Sequence, residues 1–227
     1  MNNEDIITFI IPTIGRLTLK NSIDSLLNQT IKEWKAIIIF DGIHPNIDVH
    51  DTRIKIIEIN KKGENINNAG LVRNHGISLS DTKWIGFLDD DDILSNDYIE
   101  IFNKELLQNI TINLDVIIFR MKLNDRIIPK LNCDNFYVCD VGISYILKKE
   151  IFDNGIIFQP SGAEDFVHLD EIRKNGYKMM ISPYIKYYVR CEEYKEDGIL
   201  GERVFINISN KFIDVVGYLL LLKFFKE

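Results

Sequence analysis

The sequence predicts an α/β fold in which a mostly parallel sheet is flanked by helices. Short runs of β-branched and aromatic residues recur along the first half of the chain, as expected of strands buried on both faces. The segments between them carry apolar residues three and four positions apart, which is the spacing of one helix face. Strands that alternate with helices favour a parallel sheet with crossover helices.

The first half divides into four strands and two helices. The predicted strands are 6–11, 36–40, 54–59 and 84–88. The predicted helices are 18–27 and 67–79. The first helix carries Leu19, Ile23, Leu26 and Leu27 at helical spacing, so we expect that face to pack on the sheet.

The second half is less regular, but it contains further strand and helix patterns. Helices are predicted at 98–107 and 165–174, and Gly176 is expected to end the second of them. Strands are predicted at 115–123, 143–147, 177–181 and 185–189. Neither half contains an internal repeat or a low-complexity segment.

The composition argues against several classes of protein. A formal net charge of -7 over 227 residues is unfavourable for a general nucleic-acid binder. Three cysteines without a CxxC pair do not predict a disulfide framework or a cysteine zinc site. The start of the chain is polar and acidic, and no run of 18 apolar residues occurs, so we expect a cytoplasmic protein.

The strongest chemical signal is the run of four aspartates at 89–92, directly after the fourth predicted strand. Four adjacent carboxylates repel one another, and a divalent cation would relieve that repulsion. Mg²⁺ and Mn²⁺ favour oxygen ligands, often one or two carboxylates together with substrate phosphates. A solvated acidic turn or a helix cap is the alternative explanation.

Two more polar sets follow predicted strands. Pro12-Thr13 ends the first strand, and Asp41 precedes Gly42 at the end of the second. Ligands of parallel sheets bind beyond the carboxyl ends of the strands, so we expect these sets to lie near the aspartates. The Asp41 carboxylate could accept a hydrogen bond from an N–H of the nucleotide base or from a ribose hydroxyl. The alternative is a structural turn, since Asp-Gly is common in turns.

Three candidate residues belong to predicted helices. Arg73 is suited to pair with a phosphate, or it is an ordinary surface arginine. Glu164 and Asp165 precede an amphipathic helix. Acids at this position favour the start of a helix, and the alternative is that one of the two is a general base. His168 follows three residues later, and a core or surface histidine is the favoured interpretation over one that lines an acceptor pocket.

Together these segments resemble the inverting family 2 glycosyltransferases of the GT-A fold. The resemblance is carried by residues 9–16, 39–42, 70–76, 84–92 and 162–165. It implies a GT-A domain over residues 1–211, with a nucleotide-sugar-binding half at 1–95 and an acceptor-binding half at 96–211. An apolar C-terminal helix would follow at 212–227.

The resemblance also implies a role for each matched residue. Asp165 would be the catalytic base, supported by Glu164, and Asp91 would be the main ligand of Mn²⁺ or Mg²⁺. The nucleotide-sugar would be bound by Pro12, Thr13, Arg16, Asp41, Arg73, Asp89 and Asp90. The reaction would move a hexosyl or N-acetylhexosaminyl group, with UDP the commonest nucleotide, to a hydroxyl of a glycan, glycolipid or glycoprotein.

The chain departs from the family pattern at three places. Many family members have Tyr-Asn or Tyr-Asn-Arg after the Pro-Thr pair, where this chain has Ile14-Gly15-Arg16. Family members usually carry two acids where this chain has Phe40-Asp41. A histidine often follows the segment that corresponds to 188–190, where this chain has Cys191, so the third protein ligand of the metal is unassigned.

Other functions are less well matched. A sugar nucleotidyltransferase usually has a glycine-rich loop after the first strand, but residues 12–17 contain only Gly15. An aspartyl-phosphate phosphatase normally has Thr or Val where this chain has Ile93. A non-catalytic module that binds a nucleotide-sugar or a divalent ion is the third alternative, and the Glu164-Asp165 pair weighs against it.

The apolar tail at 212–227 is too short to span a bilayer. We expect it to pack on the domain or on a second subunit, which would give a homodimer. Peripheral contact with a membrane interface is the alternative.

Overall fold

The computed structural model describes residues 7–62, 69–133, 135–190 and 203–206. The helices are α1 (Leu19–Leu27), α2 (Ala69–Ser78), α3 (Tyr98–Gln108), α4 (Lys149–Asp153) and α5 (Glu164–Lys174). The strands are β1 (Ile7–Thr13), β2 (Trp34–Asp41), β3 (Ile54–Ile59), β4 (Trp84–Phe87), β5 (Asp92–Leu94), β6 (Val116–Leu123), β7 (Arg126–Ile128), β8 (Tyr145–Lys148), β9 (Met179–Val189) and β10 (Val204–Phe205).

These strands form one mixed sheet in the order β10-β9-β6-β8-β4-β1-β2-β3, with β5 paired to β9 and β7 paired to β6. The four strands of the first half, β3, β2, β1 and β4, are mutually parallel. Every element predicted in the first half is present within two residues of its expected bounds. The predicted α/β fold is therefore confirmed.

Helix α2 lies directly on the buried centre of the sheet. All seven residues of β1 are buried, since this strand has a sheet neighbour on both edges. A Cβ added at Gly76 of α2 would lie 2.5 Å from Ile10 and 2.6 Å from Ile39. The missing side chain thus allows the helix to approach β1 and β2 closely.

The two strands predicted at 177–181 and 185–189 are one strand in the structure, β9 (Met179–Val189). The prediction of a break was wrong because Pro183, which lacks an N–H, sits where the pairing of β6 with β9 shifts register. Such an irregularity accommodates a proline without ending the strand.

The short strand β5 was not predicted, and it divides the run of aspartates. Asp92 is its first residue and pairs with Val189 of β9. The N–H of Asp92 also donates to the carbonyl of Asp89 at 3.2 Å, which closes a tight turn. The aspartates therefore sit on a turn between two strands rather than on an open loop.

Within the described ranges, each helix is too short or too polar to cross a membrane. The helix predicted at 212–227 lies outside the described residues, so its packing, the homodimer and the membrane contact stay predictions.

Candidate active site

The turn after β1 contacts the run of aspartates. Thr13 Oγ1 donates to Asp90 Oδ2 at 2.6 Å, and Arg16 Nη1 lies 3.1 Å from Asp90 Oδ1 and 3.1 Å from Asp91 Oδ2. Burial raises the pKa of Asp90, whereas the hydrogen bond from Thr13 and the charge of Arg16 lower it. The structure thus brings these residues together at the carboxyl end of β1.

Asp41 ends β2 and belongs to a tight turn. Its Oδ1 accepts the backbone N–H of Lys62 at 2.7 Å. Gly42 has φ +71°, and a Cβ there would lie 2.6 Å from Lys61 Cβ, so the turn requires glycine. The carboxylate therefore anchors the segment that follows β3. Pro12, by contrast, stays within β1, beside Ile39 of β2.

Arg73 is the buried centre of charge, with a side chain only 3% exposed. Its guanidinium lies 2.5 Å from Asp89 Oδ1, pairs with Glu164 Oε1 and lies 3.8 Å from Asp165 Oδ1. Burial alone would lower the pKa of Arg73, but the charges of Asp89, Asp165 and Glu164 raise it above its usual range. Carboxylates thus surround the arginine for which the sequence suggested a phosphate partner.

Both carboxylate oxygens of Glu164 are engaged. Oε2 accepts the backbone N–H of Gly70 at 2.8 Å, and Oε1 accepts from Arg73. A carboxylate held on both oxygens is poorly placed to take a proton from a substrate. Glu164 therefore fits a supporting role better than that of the base.

Asp165 has a different environment, in the first turn of α5. No described residue donates a hydrogen bond to its buried Oδ1. Burial raises its pKa to about 7; the charge of Arg73 opposes this rise, and the charges of Asp89 and Glu164 add to it. A carboxyl group with a pKa near neutrality is suited to general-base catalysis.

A pocket of about 290 Å³ opens beside Asp165. Its lining comes from the start of α2, the start of α5 and the loop before β8: Ala69, Cys139, Val141, Ser161, Gly162, Ala163, Glu164, Asp165 and Phe166. Sequence reasoning did not include Cys139 or Val141, because they lie in an irregular segment without a motif. The pocket gives a substrate direct access to Asp165.

His168 is a core histidine, only 1% exposed. Its Nδ1 lies 2.8 Å from the hydroxyl of Tyr145, and its ring lies 4.0 Å from that of Phe158. Burial lowers its pKa to about 4, so it is neutral at physiological pH. It supports α5 from within the core and does not line the pocket.

Two residues at the end of β9 hold the turn of aspartates, and sequence reasoning assigned neither a role. The hydroxyl of Tyr187 accepts the N–H of Asp89 at 3.1 Å and also hydrogen-bonds the Asp92 carboxyl group. The backbone N–H of Arg190 donates to Asp92 Oδ1 at 2.9 Å, and its Nε lies 3.5 Å from Asp91 Oδ2. The turn is thus held from the strand next to it.

Residues 8–153, more than half of the chain, match the family model described as Glycosyl transferase family 2. The chain belongs to this family.

Two curated relatives are longer than this family 2 chain. The poly(ribitol-phosphate) β-N-acetylglucosaminyltransferase TarP of Staphylococcus aureus is 27% identical over 217 residues, which cover 86% of this chain and 65% of TarP. The glycosyltransferase GlyA of Streptococcus pneumoniae is 27% identical over 229 residues, which cover 92% of this chain and 29% of GlyA. The chain therefore spans less than two thirds of either relative.

Solved structures confirm the GT-A fold. The structure of S. aureus TarS 1–349 in complex with UDP-GlcNAc has a TM-score of 0.60 at 15% identity, covering 96% of this chain and 64% of that one. The mannosyltransferase PcManGT of Pyrobaculum calidifontis, in complex with GDP-Man and Mn²⁺, has a TM-score of 0.56 at 13% identity, covering 76% of this chain and 53% of that one.

The aspartates carry the oxygen ligands that Mg²⁺ and Mn²⁺ favour. Across the described ranges, no three His, Cys, Asp or Glu side chains are grouped to hold an ion. Asp91 is nevertheless 22% exposed, and its arginine partners Arg16 and Arg190 are 49% and 75% exposed, so they can move aside. One or two carboxylates with substrate phosphates are a usual arrangement for Mg²⁺.

Proposed function

We propose that this chain is the catalytic domain of an inverting glycosyltransferase that uses a UDP-sugar and an acceptor hydroxyl. The observation that carries the proposal is the position of Asp165, whose pKa is near 7, beside a pocket and linked through Arg73 to Asp89. In this proposal the base, Asp165, and a donor-side carboxylate, Asp89, lie on the two sides of one buried cation.

The proposed reaction uses these positions. An acceptor hydroxyl in the pocket gives its proton to Asp165, and its oxygen attacks the anomeric carbon of the donor sugar. The bond between that carbon and the diphosphate oxygen breaks, and UDP leaves with the bonding electron pair. Attack from the face opposite to UDP inverts the anomeric configuration, and the acceptor proton ends on Asp165.

The donor is proposed from the relatives and from the charges at the strand ends. TarS was solved with UDP-GlcNAc, and TarP is named an N-acetylglucosaminyltransferase, which supports UDP-GlcNAc as the first donor to test. Asp41 and the turn at Pro12-Thr13 would bind the nucleoside, and Arg16 the diphosphate. Mn²⁺ or Mg²⁺ held by Asp91 would offset the negative charge of the leaving diphosphate.

The first prediction is that UDP affinity depends on the metal and on Asp91. Because Asp91 would share the ion with the diphosphate, we expect chelator or Asp91→Ala to lower UDP affinity about tenfold or more, the scale reported for disturbed metal sites. Isothermal titration calorimetry with and without Mn²⁺ measures this. Asp81→Ala is the control, since this exposed aspartate pairs with Lys35. An affinity unchanged by chelator and by Asp91→Ala would exclude the metal site.

A donor assay tests the class of reaction. Incubation with UDP-GlcNAc and other UDP-sugars should release UDP. If added pyrophosphate is consumed instead, with formation of UTP and a sugar 1-phosphate, the protein is a nucleotidyltransferase. Binding of the donor without turnover would indicate a non-catalytic module.

A further inference from the structure

One face of α2 holds the loop that leads to Glu164 and Asp165. Gly70, Arg73 and Asn74 are spaced i, i+3 and i+4, so they lie on the same side of the helix. Each of them bonds to the segment before or at the start of α5. The helix thus contacts this segment at several points along one face.

The contact made by Asn74 is a double hydrogen bond. Its Nδ2 donates to the carbonyl of Phe158 at 2.9 Å, and its Oδ1 accepts the N–H of Phe158 at 3.0 Å. One side chain thereby pairs both backbone groups of a residue 84 positions away, as a neighbouring strand would. A carboxamide suits this task because it carries a donor and an acceptor side by side.

Phe158 in turn packs an apolar ring against the charged centre formed by Arg73 and its carboxylate partners. Its ring is 1% exposed and lies 5.6 Å from the Arg73 guanidinium and 4.0 Å from the ring of His168 on α5. A shift of Phe158 would therefore change the packing under both Arg73 and the helix that starts with Glu164 and Asp165.

Gly70 allows the loop to lie against the helix backbone. A Cβ at this position would lie 2.6 Å from Glu164 Oε2 and 2.9 Å from Phe158 Cβ. Any side chain would push away the same two residues that the backbone of Gly70 and the amide of Asn74 hold.

We propose that Asn74 and Gly70 are positioning residues, which set the place of Asp165 by fixing the segment from Phe158 to Glu164 on α2. This inference rests on the proposed function of Asp165 as the base. Neither residue bonds to the carboxylates of the aspartate turn in the described structure, so their loss should affect turnover and leave donor binding intact.

The experiment compares Asn74→Ala with Asn109→Ala. Asn109 is likewise bonded to backbone through its side chain, but it is buried at the end of α3, where its amide donates to the carbonyl of Glu105. Three quantities are measured: UDP affinity by calorimetry, kcat by UDP release, and hydrogen exchange of the peptide 156–166. Gly70→Ala is the second variant, in case Asn74→Ala does not fold.

We expect Asn74→Ala and Gly70→Ala to speed exchange in 156–166 and to lower kcat about tenfold or more, since small misplacements of catalytic groups have large effects. UDP affinity should change by less than about twofold. This is well below the tenfold change in Kd that corresponds to about 1.4 kcal/mol. Asn109→Ala should leave both exchange in this peptide and kcat unchanged.

Unchanged exchange in 156–166 for either folded variant would overturn the inference, as would a fall in UDP affinity equal to the fall in kcat. If the wild-type protein releases no UDP from any donor, the proposed function fails. Exchange alone then decides whether α2 fixes the loop.

Discussion

At the scale of residues, the site is organised by one buried cation among three carboxylates. Arg73 makes close ion pairs with Asp89 and Glu164, but it is 3.8 Å from Asp165. Burial dominates at Asp165, which has no such close ion pair, and raises its pKa to about 7. Two adjacent acids thus have different properties because their partners differ.

This difference predicts separate effects of substitution. We expect Asp165→Asn to lower kcat about 100-fold or more with UDP affinity unchanged, which is the scale of losing a general base. Glu164→Gln should reduce kcat less, because its one oxygen can still accept the N–H of Gly70, although the ion pair and hydrogen bond with Arg73 are lost. Steady-state kinetics of UDP release and calorimetry measure both variants.

Two results would contradict this assignment. If Glu164→Gln abolishes turnover and Asp165→Asn does not, the base is Glu164. If both variants retain turnover, the pair serves only to begin α5.

The candidate residues could be predicted from sequence, but their partners could not. The aspartates follow an apolar strand, and Glu164-Asp165 precede an amphipathic helix, so both patterns are visible locally. Glu164 pairs with Arg73 across 91 residues and with Gly70 across 94. Nothing in the local sequence of an arginine distinguishes a carboxylate partner from a phosphate, because both accept the same hydrogen bonds.

At the scale of elements, strand β9 joins the two expected strands into one and supports the aspartate turn. The strand passes Pro183 without ending and reaches Val189, where it pairs with Asp92 of β5. The strands of the first half could be predicted because they are buried on both faces, and such strands appear in the sequence as continuous apolar runs. β5 has three residues and β10 has two, which is too few for any periodicity to appear.

The pairing of β5 with β9 predicts a role for the hydroxyl of Tyr187. This hydroxyl accepts the N–H of Asp89 and hydrogen-bonds the buried Asp92, so Tyr187→Phe removes one hydrogen-bond partner from each of them. We expect the free energy of unfolding to fall by about 1–3 kcal/mol, the cost of unsatisfied buried polar groups. Urea denaturation measures the loss.

Tyr188→Phe is the matched control on the same strand. Its hydroxyl donates to the carbonyl of Ile185 at a longer distance, 3.4 Å. Equal losses in the two variants would mean that the aspartate turn does not depend on Tyr187.

At the scale of the whole molecule, helix α5 carries the partly buried Asp165 and the buried His168, whose pKa values shift in opposite directions. Burial raises the pKa of Asp165 from 3.8 to about 7 and lowers that of His168 from 6.5 to about 4. The folded protein therefore binds the Asp165 proton more tightly than the unfolded chain does, and it binds the His168 proton less tightly. Their contributions to stability must change with pH in opposite senses.

The last prediction follows from these signs. As pH rises from about 4 to 7, ionisation of Asp165 is easier in the unfolded chain, so this residue lowers the free energy of unfolding. Asp165→Asn removes that term, and we expect its stability relative to wild type to increase across this window by roughly 2–4 kcal/mol, at about 1.4 kcal/mol for each pKa unit.

His168→Gln should show the opposite slope. Below pH 6.5 the unfolded wild-type chain gains a proton on His168 that the folded protein does not accept, so wild type loses stability as pH falls toward 4. The variant lacks this loss, and its stability relative to wild type should therefore decrease as pH rises from 4 to 6.5. Denaturant unfolding of the three proteins at pH 4, 5, 6 and 7 gives both difference curves. Any packing defect shifts a whole curve without changing its slope, so slopes of the same sign would show that one of the two groups is not buried in the folded state as the structure places it.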